Sequence, residues 1–246
     1  MHTALLELAD DHLILAHRLS EWCGHAPMLE EDLALPNMAL DCIGSARTLY
    51  ARAGALEGAG RDEDALAYLR SEREFRNCLL VERENGDFAQ TVLRQLMFAA
   101  YMEPYWRAAL GSTDEAVRGV AGKALKEMGY HIRHAGEWVI RLGDGTEEST
   151  RRMGRAVEIL APYADELFAS SAAAQAAQEA GVLPDRGALR PAWEAVMDDV
   201  MSQAGLTWPE DVWPQTGGRD GRHSEALGHL LAEMQSVHRA HPGATW

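Results

Sequence analysis

Two short stretches, Glu72-Arg73-Glu74-Phe75 and Glu127-Met128-Gly129-Tyr130, decide how the fold of this chain is interpreted. Helix bundles that hold two irons through carboxylates carry Glu-x-x-His on two helices and a further Glu on each of the other two. Here an aromatic residue stands three positions after each glutamate. Phenylalanine has no lone pair for a metal, and the pKa of tyrosine, about 10, disfavours ligation as a phenolate. The stretches therefore predict a helix bundle of this type whose metal site has been lost.

The surrounding sequence predicts helix nearly throughout, because Ala, Leu, Glu, Arg and Met dominate and strand-like alternation is scarce. Glycine, proline and N-capping residues divide the chain into eight helical segments. We predict one domain over 1–246, with a core at about 7–180 and a C-terminal helical extension at about 181–246. The predicted helices are about 7–22, 30–55, 62–80, 88–110, 115–142, 150–180, 191–204 and 224–239.

The charge balance limits the partners of this chain. The 246 residues include 23 Lys plus Arg and 38 Asp plus Glu, a net charge of −15. Such an acidic chain is expected to bind neither nucleic acid nor anionic membranes. The three cysteines show no metal-binding spacing, and no apolar stretch approaches membrane-spanning length. Free thiols and no export signal favour the cytoplasm.

Helical periodicity places several acids near the predicted core. On the third predicted helix, Glu72 falls within an apolar arc, and on the fifth, Glu127 and His131 lie at the shoulder of the apolar stripe. Asp41 is a plausible carboxylate on the second helix, whereas residues 92–102 of the fourth contain no acid. These ligands would hold one ion weakly at most, not a bridged pair of irons. For each glutamate, a half-exposed position with the carboxylate in water is as strong an alternative as a buried one.

Other candidate groups carry weaker signals. His134 near Glu127 and His131 suggests acid–base chemistry, but no nucleophile or phosphate loop accompanies it. Residues 217–221 are glycine-rich and are predicted to form a flexible turn, with the nearby tryptophans as an alternative interface anchor. The last helix carries a row of polar residues opposite its apolar face, which predicts a solvated face: Glu225, His229 and Glu233.

Longer strings of residues resemble a known family, the structural C subunits of the bacterial phenylacetyl-CoA monooxygenase, which is a ring 1,2-epoxidase. The resemblance covers essentially the full length. The tail match includes Leu231-Ala232-Glu233-Met234-Gln235. The strings that carry the resemblance are Arg18 to Pro27, Glu30 to Leu35, Leu40 to Arg47, Leu79 to Glu82, Lys126-Glu127 with Tyr130-His131, and Gly217 to Trp246.

The resemblance implies an all-α, ferritin-like long-helix bundle with extra C-terminal helices. It implies that a catalytic A subunit holds the di-iron centre and binds phenylacetyl-CoA, and that a reductase supplies electrons from NADPH. The C subunit pairs with A and the other subunits and has no cofactor of its own. The aromatic residues Phe75 and Tyr130 agree with the loss of metal ligands in the C subunits. Ala99-Ala100 is a departure, because an apolar pair stands where a polar group is expected.

Three alternatives remain open at this point. The rival function is a divergent carboxylate-bridged di-iron oxygenase that uses Asp41, Glu72, Glu127 and His131. A contribution to coenzyme A binding has no arginine assigned to it. Homodimer formation by the isolated chain is the third alternative.

Overall fold

The computed structural model describes residues 1–244, and every α-helix and 3₁₀ turn named below lies within them. Aspartate, serine or threonine side chains cap the first turns of five of the helices, as the sequence predicts. The α-helices are α1 (His2–Ser20), α2 (Leu29–Glu57), α3 (Glu63–Tyr68), α4 (Leu79–Glu82), α5 (Phe88–Ala109), α6 (Glu115–Gly143), α7 (Glu147–Leu160), α8 (Ala172–Glu179), α9 (Arg190–Gln203), α10 (Glu225–Met234) and α11 (Ser236–Ala240).

Four long helices, α1, α2, α5 and α6, form the bundle and contribute most of its core. α1 and α2 are antiparallel, because His2 Nδ1 at the start of α1 lies 2.9 Å from the Ala53 carbonyl oxygen near the end of α2. α5 and α6 are joined by a short loop and pack along their lengths. Each pair therefore forms a helical hairpin.

The two hairpins are joined by a crossover. Arg52 near the end of α2 pairs with Asp114 before α6 at 2.8 Å, and Glu31 at the start of α2 meets His134 of α6 at 2.8 Å. α2 and α6 are therefore antiparallel, and α2 and α5 run in the same direction. Residues 58–87 must then return along the bundle, which is the topology of ferritin-like bundles with one long crossover. The all-α, ferritin-like prediction is confirmed.

The predicted third helix, at about 62–80, is wrong. α3 ends at Tyr68, residues 72–74 form a single 3₁₀ turn, and α4 begins only at Leu79. Carboxylates of α1 accept hydrogen bonds from the backbone N–H groups of Arg76 and Cys78, each at 2.7 Å. These bonds hold the segment extended. Tertiary hydrogen bonds thus override the helical periodicity of the local sequence.

The predicted long helix at about 150–180 is also divided. α7 ends at Leu160, two 3₁₀ turns follow, and α8 begins at Ala172. Pro162 explains the break, because proline has no N–H for the helical hydrogen bond and its ring obstructs the preceding turn. The extension after residue 181 adds α9, which packs on α5 and α6.

One turn of α1 fastens the surrounding segments to the bundle. It carries three carboxylates that are almost completely buried, and each pairs with an arginine from a different segment. Buried charges require such partners, because desolvation of an unpaired ion costs several kcal/mol. The pairs are Glu7 with Arg186 at 2.7 Å, Asp10 with Arg70 at 3.0 Å, and Asp11 with Arg219 at 2.7 Å.

The glycine-rich stretch 217–221 is not the flexible turn predicted for it. The backbone N–H groups of Gly217 and Gly218 donate to Glu166 Oε1 at 2.7 and 2.8 Å. Gly217 has a φ of 133°, and a Cβ at Gly218 would overlap the carbonyl oxygen of Asn77. Glycine is required here because the backbone lies against the bundle. Residues 217–219 are a buried anchor of the C-terminal extension.

None of the helices within residues 1–244 has both the length and the apolarity needed to cross a bilayer.

Candidate functional site

A cluster of polar side chains lies inside the bundle, where metal-binding bundles of this topology place their ligands. All four long helices contribute to it. Polar groups in such a position are normally hydrogen-bonded, so their partners show what the cluster can do. Its members are His12 of α1, Asp41 of α2, Gln95 of α5, and Lys123, Glu127 and His131 of α6.

His131 is the centre of the cluster and has no exposed surface. Its Nδ1 lies 3.1 Å from Gln95 Nε2, and its Nε2 lies 3.2 Å from Asp41 Oδ2. Because the amide nitrogen of Gln95 can only donate, Nδ1 accepts and Nε2 carries the proton that is donated to Asp41. Both ring nitrogens are therefore engaged with protein groups. A metal could reach His131 only by displacing one of them.

Lys123 brings a positive charge to the carboxylates. Its Nζ lies 3.1 Å from Glu127 Oε1. The ammonium also packs against Gly44 of α2, because a Cβ built on that glycine would lie 3.3 Å from Nζ. Burial raises the pKa of Glu127, the charge of Asp41 raises it further, and Lys123 opposes both effects. The lysine side chain is 66% exposed, so this end of the cluster is open to water. The ammonium balances charge that a metal cation would otherwise balance.

His12 closes the cluster from α1 as a neutral residue. Its Nδ1 donates to the Leu8 carbonyl oxygen at 2.8 Å, and its ring meets that of Phe98 edge to face. Burial lowers the pKa of His12, and the neighbouring His131 also disfavours its charge. Within the described residues, Nε2 of His12 and Oε1 of Gln95 have no hydrogen-bond partner. The part of the cluster formed by His12 and Gln95 therefore contains unpaired polar atoms and no positively charged group.

The structure brings together three of the residues singled out from the sequence: Asp41, Glu127 and His131. Sequence reasoning missed three further members, His12, Gln95 and Lys123. Gln95 supplies the polar group that was expected near Ala99-Ala100, about one helical turn earlier. As an amide, it is not one of the carboxylates that a di-iron motif specifies. Lys123 was detectable from its position four residues before Glu127 on one helix.

The other three predicted positions lie elsewhere. Glu72 is exposed on its 3₁₀ turn beside α10, where its Oε2 is 3.0 Å from the position of a Cβ on Gly228. Phe75 is buried, but it packs under the guanidinium of Arg70 at 4.2 Å. Tyr130 is 43% exposed on the outer face of α6. Their assignment to former ligand positions is corrected, because residues 72–75 belong to the crossover and Tyr130 points away from the bundle.

The donors present do not fit a bridged pair of irons. Across residues 1–244, no three His, Cys, Asp or Glu side chains converge in a geometry that suits a metal ion. α5 offers the amide of Gln95 where a carboxylate is required, and Glu127 is paired with an ammonium. Neutral amides and ammonium groups cannot balance the charge of two irons.

Comparison with known proteins finds a matching family and a similar protein. The family described as phenylacetic acid catabolic protein matches residues 1–246. The chain is also similar to the C subunit of 1,2-phenylacetyl-CoA epoxidase from Escherichia coli strain K12. Identity is 43% over 241 residues, and the alignment covers 98% of this chain and 97% of that protein.

Proposed function

We propose a structural, non-catalytic role for this chain, which belongs to the phenylacetic acid catabolic protein family. In this proposal it is one component of a phenylacetyl-CoA 1,2-epoxidase and supports a separate catalytic subunit, which holds the di-iron centre. The similarity to the C subunit of an epoxidase supports membership of such a complex. The chain itself binds no cofactor in this proposal.

The observation that carries the non-catalytic role is the composition of the polar cluster. Gln95 stands on the helix where a fourth carboxylate is needed, and it is hydrogen-bonded to His131. Lys123 Nζ lies 3.1 Å from Glu127. Oxygen activation at a bridged di-iron centre requires several carboxylates at close range. Here His131 is hydrogen-bonded to both Gln95 and Asp41, which favours a cluster that holds α2, α5 and α6 together.

An exposed apolar surface supports a role in assembly. One side of α2 carries large apolar residues at helical spacing that are accessible to solvent, with Leu29 70% and Leu40 63% exposed. Contiguous exposed apolar surface of this kind is typical of protein interfaces. We propose that this α2 surface is covered by the catalytic subunit; its residues are Leu29, Leu33, Leu40 and Ile43.

Metal analysis tests the non-catalytic role. The purified chain, incubated anaerobically with ferrous iron and then desalted, is expected to retain far less than one iron per chain. Glu127→Ala is expected to leave the iron content and epoxidase activity of the reconstituted complex unchanged, with an effect on stability only. Two retained irons with an oxo-bridged spectrum, lost on Glu127→Ala, would establish the rival di-iron oxygenase instead.

Co-purification tests the assembly role. The double substitution Leu33→Glu and Leu40→Glu places two charges on the α2 surface without changing a buried side chain. It is expected to abolish co-purification with the catalytic subunit while the thermal melting of the chain stays close to wild type. Leu110→Glu, at an exposed leucine after α5, is the matched control and should leave the complex intact. Unchanged complex formation by the double variant would exclude this surface.

A further inference from the structure

An arginine-lined cavity lies on the outside of the bundle, between the turn before α5 and the exposed face of α7. It has a volume of about 360 Å³ and shares no residue with the polar cluster. This size is within the lower part of the range of small-molecule sites. Its polar lining consists of Asp87 and Gln90 at the start of α5 and Arg151, Arg152 and Arg155 of α7.

The cavity concentrates positive charge in an acidic protein. Three of the 23 basic residues lie on one side of a single helix, although the net charge of the chain is −15. Arg155 makes no hydrogen bond or ion pair with any residue in 1–244. Arg151 and Arg152 share Glu148, at 2.7 Å each, but these pairs are exposed and are worth little in water. All three guanidinium groups are therefore available to an anion at small cost.

The acidic residue of the cavity is already engaged. Asp87 is the N-cap of α5, and its Oδ1 accepts the backbone N–H of Gln90 at 3.0 Å. The carboxylate thus serves the helix end, while the arginines face it from α7. Arg151 and Arg155 are one helical turn apart, which separates their Cβ atoms by roughly 5–6 Å. Guanidinium groups at this spacing can each take oxygens of neighbouring phosphates.

A second cavity continues from the first. It has a volume of about 220 Å³ and shares Asp87 and Arg152 with the arginine-lined cavity. Phe88, Ala89 and Leu142 form an apolar wall of this cavity, and Thr146, Ser149 and Glu148 line its polar side. An aromatic ring can pack against such a wall, and Arg152 at the boundary can stack on the ring face.

We propose that these adjoining cavities bind an organic diphosphate that carries a flat ring, that is, a ligand of the nucleotide class. The phosphates lie on Arg151, Arg152 and Arg155, and the ring lies against Phe88 and Leu142. This site stands on its own lining residues and does not depend on the structural role proposed above.

Calorimetric titration of the full chain with three probes tests the ligand class. ADP carries both parts, pyrophosphate only the phosphates, and adenosine only the ring. In buffer of about 50 mM ionic strength, where screening is modest, ADP is expected to bind with one site per chain. Pyrophosphate should bind several-fold more weakly, and adenosine should give no saturable heat. Equal affinity for ADP and pyrophosphate, or no saturable binding of ADP up to millimolar concentration, would overturn the proposal.

Substitutions locate the site. Arg155→Gln breaks no hydrogen bond or ion pair within the described residues and is expected to weaken ADP binding about fivefold. Glu148→Gln releases Arg151 and Arg152 and is expected to tighten it. Arg107→Gln is the matched control, because Arg107 is an exposed arginine paired with the glutamate four residues earlier on α5. A loss of affinity in the control equal to that in Arg155→Gln, or weaker binding by Glu148→Gln, would refute this location.

Discussion

Substitution of Arg219 by methionine tests whether the C-terminal extension is held by its buried ion pair. The guanidinium of Arg219 donates to both carboxylate oxygens of Asp11, at 2.9 and 2.7 Å, and to the carbonyl oxygens of Glu7 and Arg76. Methionine preserves most of the volume but removes every donor. Asp11, only 1% exposed, would keep a single hydrogen bond, from Cys78.

The expected cost follows from the burial of the carboxylate that remains. Removing one partner of a buried ion pair typically costs about 3–5 kcal/mol, because the other charge stays desolvated. For a chain of this length each kcal/mol lowers Tm by roughly 2–4 °C. Arg219→Met should therefore lower Tm by roughly 6–20 °C, measured by circular dichroism with urea unfolding as a second method.

Two controls make this result specific. Arg222→Met removes an exposed arginine from the same segment, whose pair with Asp220 is open to water, and should cost below about 1 kcal/mol. Asp11→Asn combined with Arg219→Met should recover part of the loss, because no unpaired charge is left inside. Equal small losses for Arg219→Met and Arg222→Met would refute the reasoning that the buried pair fastens the extension.

Three further outcomes are expected. Burial opposes the charge of His223, but the hydrogen bond to Glu82 raises its pKa above the ordinary 6.5. The protonated histidine therefore stabilises the folded state fully below pH 6.5, and this stabilisation is lost as pH rises through the raised pKa. The cost of His223→Gln in urea unfolding should accordingly shrink as pH rises above about 6.5. Burial lowers the pKa of His12, so His12→Phe should reduce the loss of stability as pH falls below 6.5. Gly218→Ala should cost more than about 2 kcal/mol in thermal melts because its Cβ meets a backbone carbonyl, whereas Gly122→Ala, on an open face of α6, should add about 0.5–1 kcal/mol.

The long helices of the bundle were largely predictable from local signals. The predicted segments 30–55, 88–110 and 115–142 correspond to α2, α5 and α6 with shifts of only one or two residues at their ends. Capping residues and apolar periodicity act within a few positions of the chain, so they are legible without the fold. The crossover was mispredicted, because the acids that hold it extended come from α1, which is more than 60 residues earlier.

The sequence by itself determined an acidic all-α bundle and three members of its polar cluster, since helix formation and the direction of a helical face depend on neighbouring residues. Only the tertiary structure decided the rest. It placed Glu72 and Phe75 on the crossover, and it brought Gln95 and Lys123 to the cluster. Which charges meet inside a protein depends on how separate helices pack, and buried charges must find a partner wherever the chain supplies one.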